Sequence, residues 1–509
     1  MTHTNKRWYA LVAISLGMFM ALLDIMIVNV ALPTMQKQFA VKFTDLQWVL
    51  NAYTLTSASL LLFESKLGDL FGRKKIFMLA LTIFTIGSLL NSLSTTLDML
   101  VWSRVIQAVG GAGIMTLAMA LVASIFQGKE RGMAFAIVGS IIGLATSSGP
   151  LVGGILVQHF GWPSIFYINV PVGIVVLLLT WFNVSETPNY GAGKRIDFLG
   201  MLLTAAIMFS AIFGLIQKEN HLHYAWTNPA VAGWLGAAVV LLVAFLLWER
   251  RVADPMMDLA LFTKPHFVGS AIGSFLLGAG WFAFLVYLTN LIQNYMGYSA
   301  EHTGMLQLAA SIWPLLLGPV VGTIGQRFDK RYLISGSFVL MAIGLLVMAH
   351  FITPNVTGFQ LAIAMVLIGI GNAIINQTIN DAGLSDVPHA EMGMASGIIR
   401  TFQQFGVTIG IVVLGLVQNH FYSQKLSDKW PNQAPADLQT GLTNAGAFSG
   451  HSITHNASLA NLPGIHTIQN LVVKAFDHGL TSAIYTATGF ILIGALITFI
   501  LLRNKKAAV

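Results

Sequence analysis

"LLDIMIVNVALP", residues 22–33, sets one carboxylate, Asp24, inside a run that is otherwise almost wholly apolar. From Trp8 to Leu32 no other residue is formally charged. A charged side chain at the centre of a bilayer costs about 3 kcal/mol even on the mildest scale, so an acid at this place needs a purpose. The run around it exceeds the ~20 apolar residues that carry a helix across hydrocarbon. It is also too long for the apolar core of a signal peptide and lacks a small-residue cleavage site, so no cleavable signal is expected.

The rest of the chain agrees with a membrane solvent. Of 509 residues 55% are hydrophobic and only 9% are charged, where a soluble chain carries roughly a quarter. The net charge of +7 does not mark a nucleic-acid surface, because the basic residues sit in short loops between apolar runs. Cysteine is absent, which excludes a disulfide framework and a thiolate metal site.

Apolar runs bounded by charges and turn residues give fourteen spans: 8–33, 45–64, 76–94, 98–126, 132–159, 164–183, 198–217, 230–248, 266–292, 302–325, 332–352, 357–384, 392–420 and 478–502. With the amino terminus in the cytoplasm, nineteen Lys and Arg fall in cytoplasmic loops, six in external ones, and two, Arg104 and Arg400, inside spans. This three-to-one bias is the positive-inside pattern. One missed or false span would invert every later loop and spoil it. The chain therefore reads as an all-α integral membrane protein of the cell membrane with both termini cytoplasmic.

Two segments echo each other. "SKLGDLFGRKK" (65–75) ends the second span and "GTIGQRFDKR" (322–331) ends the tenth. Aligning Ser65 with Gly322 matches Gly68 with Gly325, Phe71 with Phe328 and Arg73–Lys74 with Lys330–Arg331. Both follow the second helix of a six-helix block if the seventh and eighth spans are set aside. The plan is six helices (1–190), two inserted helices (191–263) and six more (264–509). Repeated halves are the usual build of secondary transporters, with the site near the midplane between them. The stretch 421–477 is rich in Asn, Ser, Thr, Gly and Ala and reads as an external cap or a disordered segment. The histidines of its "HSITHNAS" (451–458) are read as solvated, and no metal site is expected.

With these motifs in order, the chain resembles the major facilitator superfamily, and within it the fourteen-span drug:proton antiporters of the EmrB/QacA type. "LDIMIVNVALP" looks like that branch's first-helix signature. "SKLGDLFGRKK" looks like the superfamily loop motif, with Ser65 where Gly is usual and Leu70 where Arg is common. "RVIQAVGGAG" (104–113) is similar to the fourth-helix motif, with Ala108 for a usual Gly. "GLATSSGPLVGG" (143–154) matches the fifth-helix motif associated with antiporters, and "IFYINVPVG" (165–173) is a further mark of the branch. The resemblance implies the major facilitator fold and proton-coupled export of small amphipathic, cationic drugs, driven by a proton gradient without a cofactor. It leaves open export of one physiological solute, lipid or peptide, or of tetracycline-like compounds. A monomer is consistent with it, and an adaptor protein, as some relatives use, is not selected by anything in the chain.

Individual residues then take expected roles. Desolvation favours the neutral form of a buried acid, and an ionised acid attracts a lipophilic cation. Competition of proton and cation at Asp24 would be antiport in its simplest form, and the resemblance also implies the coupling acid here. The plain alternative is an acid paired with a basic residue of another helix. Arg104 is expected either to tune a carboxylate or relay a proton, or to fix helix ends by hydrogen bonds to carbonyls. Gln107, three residues on, shares its face. For Asp69, Gly72, Arg73 and Lys74 the resemblance implies a cytoplasmic gate, with Asp69 capping the amino terminus of a facing helix. Gly149, Pro150, Gly153 and Gly154, with Gly139 and Gly143, are expected to pack and kink the fifth helix at the interface of the halves. In "GNAIINQTIND" (371–381), Asn372, Asn376 and Asn380 recur on one face, lining either the substrate path or a helix contact. Asn29, Tyr53 and Gln107 join them as cavity candidates. Asp381 and Glu64 read as gate or surface partners. Arg400 should find a carboxylate or carbonyl. No zinc-type histidine spacing or hydrolase nucleophile elbow lies in the spans, and no repeated filter segment appears, so an enzyme or a channel is disfavoured.

Overall fold

Lipid offers no hydrogen bonds to a backbone, so a chain of long apolar runs without closed sheets must form helices. The structure, a computed structural model, describes residues 3–503 apart from 40, 42–45, 47, 187–196, 221–223, 253–254, 256, 315, 318–319, 322–327, 354, 389–390, 432–433 and 455–463. Gly325 and Gln326 of the second loop copy, and part of "HSITHNAS", therefore lie outside the described residues, as do the side chains of Asn29 and Pro150.

The first block consists of α1 (His3–Phe39), α2 (Trp48–Phe71), α3 (Arg73–Ser92), α4 (Leu97–Ile125), α5 (Gly128–Phe160) and α6 (Ser164–Asn183). A hairpin of α7 (Phe198–Asn220) and α8 (Pro229–Glu249) follows. The second block opens with α9, in which α-helical Pro265–Leu277 and Ala283–Asn290 alternate with π-helical Gly278–Phe282 and Leu291–Tyr295. Then come α10 (Ala300–Ser311), α11 (Lys330–Phe351), α12 (Gly358–Gly383), α13 (Met392–Asp428), α14 (Ala436–Thr454) and α15 (Ile465–Leu501). Among the described residues eleven helices are long and apolar enough to cross a membrane; α2, α5, α10 and α14 are not among them.

Helix starts follow local chemistry. The Thr96 hydroxyl accepts from the Met99 amide at the start of α4. Asn228 caps α8 with Pro229 at its first position, where a missing N–H costs nothing. Thr357 and Gln360 form a reciprocal capping box on α12.

The stretch 421–477 departs from the expected loop. α13 and α15 are each 37 residues long, about 55 Å at 1.5 Å per residue, far more than the ~30 Å hydrocarbon core. They run on through this region, and α14 packs on both. Tyr422, Leu426, Leu442 and Ala447 are buried there. The polar composition concealed an apolar face sufficient to fold.

Each block has its own apolar core. The first core continues across the block boundary at one end, where Met394, Ala395, Ile398 and Ile399 of α13 and Leu384 and Val387 beyond α12 join it. That end carries the basic loop 72–75. The blocks meet through α2 and α13 on one flank, and through α5 with α10 and α12 on the other. α7 lies against both α2 and α13; Ile212 and Ile216 pack with Leu55 and Ala58, and Phe213 and Phe405 close over them. α8 packs on α7 and turns Val239, Val240, Val243 and Leu247 outward.

Candidate functional site

Asp24 and Arg104, 80 residues apart, meet in the first block. Arg104 Nη1 donates to Asp24 Oδ2 at 2.5 Å, and each residue is only 1% exposed. The Asp24 Oδ1 accepts from Gln107 Nε2 and from Asn169 Nδ2, both at 2.9 Å. Arg104 also donates to Gln107 Oε1 at 2.7 Å and, through Nε, to the Val49 carbonyl at 3.2 Å. Its guanidinium carbon stands 4.2 Å from the Tyr53 ring centroid and 5.6 Å from that of Phe166. An outer layer completes the network. Asn91 Nδ2 donates to Gln107 Oε1 (2.6 Å), Asn169 donates to the Ser88 hydroxyl (3.0 Å), and Ser88 donates to the Phe166 carbonyl (2.9 Å).

The helices make this cluster possible by approaching closely. Cβ atoms on Gly87 or Gly110 would run into the Gln107 or Ala80 backbone, so α3 and α4 touch at their glycines. Gly111 leaves room for the Tyr53 hydroxyl. Asp24 is therefore not a solitary acid: both its oxygens are engaged, and Arg104 is the partner that one sequence cannot identify. Tyr53 and Gln107, proposed as cavity-lining residues, are buried supports of this pair instead. Ser88, Asn91 and Asn169 were missed. Asn169 stood in the "IFYINVPVG" motif, where an Asn in an apolar run was the available signal.

At the basic end, Asp69 Oδ2 accepts from the Met394 amide at 3.1 Å. Met394 is the third residue of α13, so the expected cap of a facing helix is present in the geometry. The other oxygen, Oδ1, pairs with Arg73, 2.8 Å from Nη2 and 2.9 Å from Nε. Arg73 also reaches the Ala120 carbonyl of α4 at 3.4 Å. Gly72 takes φ 104°, a left-handed turn that lets the Glu186 carboxylate accept from the Lys74 and Lys75 amides at 3.0 and 3.2 Å. Glu186 thus caps α3, a role the sequence did not suggest. Lys74 Nζ donates to the Trp181 carbonyl. Asp381 joins the same end, 2.7 Å from Arg131 of α5 and 2.6 Å from Lys330 of α11. Arg131–Asp381 crosses between the blocks.

The glycines of α5 divide by position. Gly139 and Gly143 face Gln377 and Pro314 of the second block, as expected of an interface. Gly149 and Gly153 instead face Met26 and Ile27 of α1 within the first block. Their compactness serves α1, one turn from Asp24, rather than the seam; Gly154 is half-buried. The Pro314 carbonyl accepts from both Ser140 and Gln377, so Gln377 is an interhelical bonding residue. Asn376 donates to Asn372 Oδ1 at 2.6 Å, and Asn380 is half-buried. None of the three bonds to the Asp24 cluster among the described residues. Arg400 donates to the side-chain carbonyl of Gln403, one turn on along the same helix, which is the carbonyl form of the expected partner. Glu64, read as a gate or surface partner, is buried against Gly113 of α4 and Ala80 of α3.

Comparison with known proteins identifies the architecture. The Major Facilitator Superfamily model matches residues 14–411. The chain belongs to the major facilitator superfamily. It is a membrane transporter and not an enzyme. It is 33% identical over 430 residues to the multidrug resistance protein Stp of Mycobacterium tuberculosis, covering 84% of this chain and 79% of that protein. It is 30% identical to the tetracenomycin C resistance and export protein of Streptomyces glaucescens, covering 99% and 92%. It is 31% identical to the riboflavin transporter RibZ of Clostridioides difficile, covering 83% and 91%. The proton:xylose symporter XylE superposes with TM-score 0.64 at 12% identity, covering 99% of this chain and 97% of that one; at that identity the likeness speaks for the fold alone.

Proposed function

We propose that the protein is a proton-coupled exporter of amphipathic, chiefly cationic, drugs in the cell membrane, built on fourteen spans with both termini cytoplasmic. Relatives named for multidrug resistance and for tetracenomycin C resistance and export support the drug reading. The three-to-one excess of basic residues on one side supports the orientation. The plan of 1–190, 191–263 and 264–509 fits the two cores and the intervening hairpin. The energy source is the proton gradient, no cofactor is invoked, and nothing selects an adaptor.

The observation that carries the coupling is the buried Asp24–Arg104 pair. A proton reaching Asp24 cancels the charge that holds Arg104, so proton and guanidinium compete for one carboxylate. Direct competition between proton and drug cation at Asp24 gives way to this indirect form, because both oxygens are already occupied. Helix α2 transmits the change. Near one end it holds Arg104 through the Val49 carbonyl and the Tyr53 ring; at the other, Asp69 caps α13. Val49 and Asp69 are about 30 Å apart at 1.5 Å per residue. Releasing Arg104 loosens the outer part of α2 and lets the helix tilt, which breaks the Asp69–Met394 latch and opens the basic end to the cytoplasm.

The test is transport of a cationic dye in proteoliposomes under an imposed pH gradient, comparing wild type with Asp24→Asn. The gradient is expected to drive dye movement in wild type and not in the variant. Equal gradient-driven transport by both would remove Asp24 from the coupling step. The riboflavin transporter relative favours a second reading, one physiological solute; competition of the dye by a panel of cationic drugs, against riboflavin-like solutes, separates the two.

A further inference from the structure

At the end opposite the Asp69 latch, the second π-helical segment of α9 brings Tyr295 onto α15. The Tyr295 and Phe476 rings stack with centroids 3.5 Å apart and an interplanar angle of 15°. The Tyr295 hydroxyl donates to the Ala447 carbonyl of α14 at 2.6 Å, which fixes the ring. π-helical segments inside longer helices are frequent at functional sites because they re-aim side chains. Here the re-aimed residues, Leu291 and Tyr295, wall a cavity of about 300 Å³ that also touches Met296, Tyr298, Val356 and Asp477.

Asp477 is the anomaly. It is nine-tenths buried, and its Oδ2 has no hydrogen-bond partner among the described residues. No Lys, Arg or His is among the residues walling the cavity, and no ion pair to Asp477 occurs among the described residues. A buried carboxylate left open in this way is costly unless something completes it. Two tyrosines, a thioether and aliphatic side chains around one carboxylate make a surface suited to a charged, greasy guest. Aromatic walls attract cations through their quadrupoles, and quaternary ammonium groups are the usual guests of such sites. The volume lies at the small end of ligand pockets, ~300–1,000 Å³.

We propose that this cavity binds a small organic ammonium ion, with its charge against Asp477 and its alkyl groups against Tyr295, Tyr298 and Met296. The site is separate from the Asp24 cluster, all of whose partners belong to α1–α6. As a station for cations leaving the transporter it rests on the export reading; as a binding site it does not.

The absence of native cysteine allows a direct test. Thr353 also lines the cavity and is exposed, so Thr353→Cys places a single thiol at its rim and keeps both tyrosines. The full chain is reconstituted in liposomes without any gradient, and the rate of labelling by an uncharged maleimide is measured. Choline is expected to slow labelling saturably. Its neutral isostere 3,3-dimethyl-1-butanol, at equal concentration, is not. Adding Asp477→Asn should raise the choline concentration needed by at least about tenfold. Val356→Trp, which fills the cavity and keeps the carboxylate, should abolish protection, so the result does not hang on one variant folding. Equal protection by the isostere, or unchanged protection in Asp477→Asn, would overturn the proposal. Because no transport is measured, a failed dye-coupling experiment leaves this outcome standing, and the reverse also holds.

Discussion

Replacing Asp24 by Asn leaves Arg104 as an uncompensated charge, 1% exposed, with only neutral oxygens, those of Gln107, the Val49 carbonyl and the new amide, to accept its protons. Breaking a buried pair from one side costs about 3–5 kcal/mol. Arg104→Gln has a milder result, because Asp24 keeps the amide donors of Gln107 and Asn169, yet a buried carboxylate without a cation still costs about 2–4 kcal/mol. The double variant removes both charges and retains amides able to bond each other. Neutral replacement of an entire buried pair is often nearly neutral, so its loss should be only ~0–2 kcal/mol. The cycle therefore predicts a coupling energy of several kcal/mol, above the ~0.5–3 kcal/mol seen for ordinary contacting residues. At about 2.1 cal/mol/K per residue, the 509 residues give an unfolding entropy near 1 kcal/mol/K, so each kcal/mol moves the melting temperature by roughly 1 °C. Thermal unfolding in detergent, followed by intrinsic fluorescence, should show Asp24→Asn about 3–5 °C down and Asp24→Asn/Arg104→Gln within about 2 °C of wild type. A double variant whose loss equals the sum of the singles would refute the idea that the two charges act as a unit.

Other perturbations probe the rest of the network. Asp69→Ala removes the acceptor of the Met394 amide and the Arg73 partner, costing ~1–3 kcal/mol; spin labels at Lys75→Cys and Ser385→Cys should report longer or broader distances, with Asp69→Asn intermediate, and an unchanged distribution would discount the latch. Asp381→Asn leaves Arg131 and Lys330 facing each other; the melting temperature should fall, and adding Arg131→Met should recover part of the loss, whereas no recovery would mean the ion pairs are incidental. Gly110→Ala drives a methyl into the α3 backbone at Ala80 and Phe84 and should cost about 1–3 kcal/mol. Gly236→Ala on α8 meets nothing within 4 Å and should be neutral or stabilising by up to ~1 kcal/mol; a comparable loss from both in thermal unfolding would contradict the close approach of α3 and α4.

Single-residue oddities were legible in the chain, and their partners were not. Asp24 and Arg104 each stood out as charges in apolar runs, but pairing them requires the rotation and neighbour order of α1 and α4, which periodicity does not encode. Asp69 was legible further, because the resemblance implies a gate at this loop with the acid capping a facing helix, although which helix it faces was not readable. The stacking of Gly149 on Gly153 followed from helical spacing, while their contact with α1 rather than the opposite block did not. Ser88, Asn91 and Asn169 escaped notice because short polar residues in a span equally serve ordinary helix contacts. In 421–477 the polar majority outweighed Tyr422, Leu426, Leu442, Ile468 and Leu471, whose burial folds the segment. Glu64 looked peripheral by its place near a helix end, yet Gly113 opens a slot that draws it inward.

The docking of α7 across α2 and α13 has a consequence for how lipid-dissolved molecules arrive. A greasy compound drifting in the leaflet meets a shutter on that flank, since Phe213 and Phe405 fill the crevice where the two bundles would otherwise part. Among the described residues, the opposite flank, where α5 faces α10, has no such cover. A compound entering from the bilayer would thus meet one covered and one uncovered flank among the described residues, and the hairpin makes a symmetric scaffold asymmetric toward its surroundings.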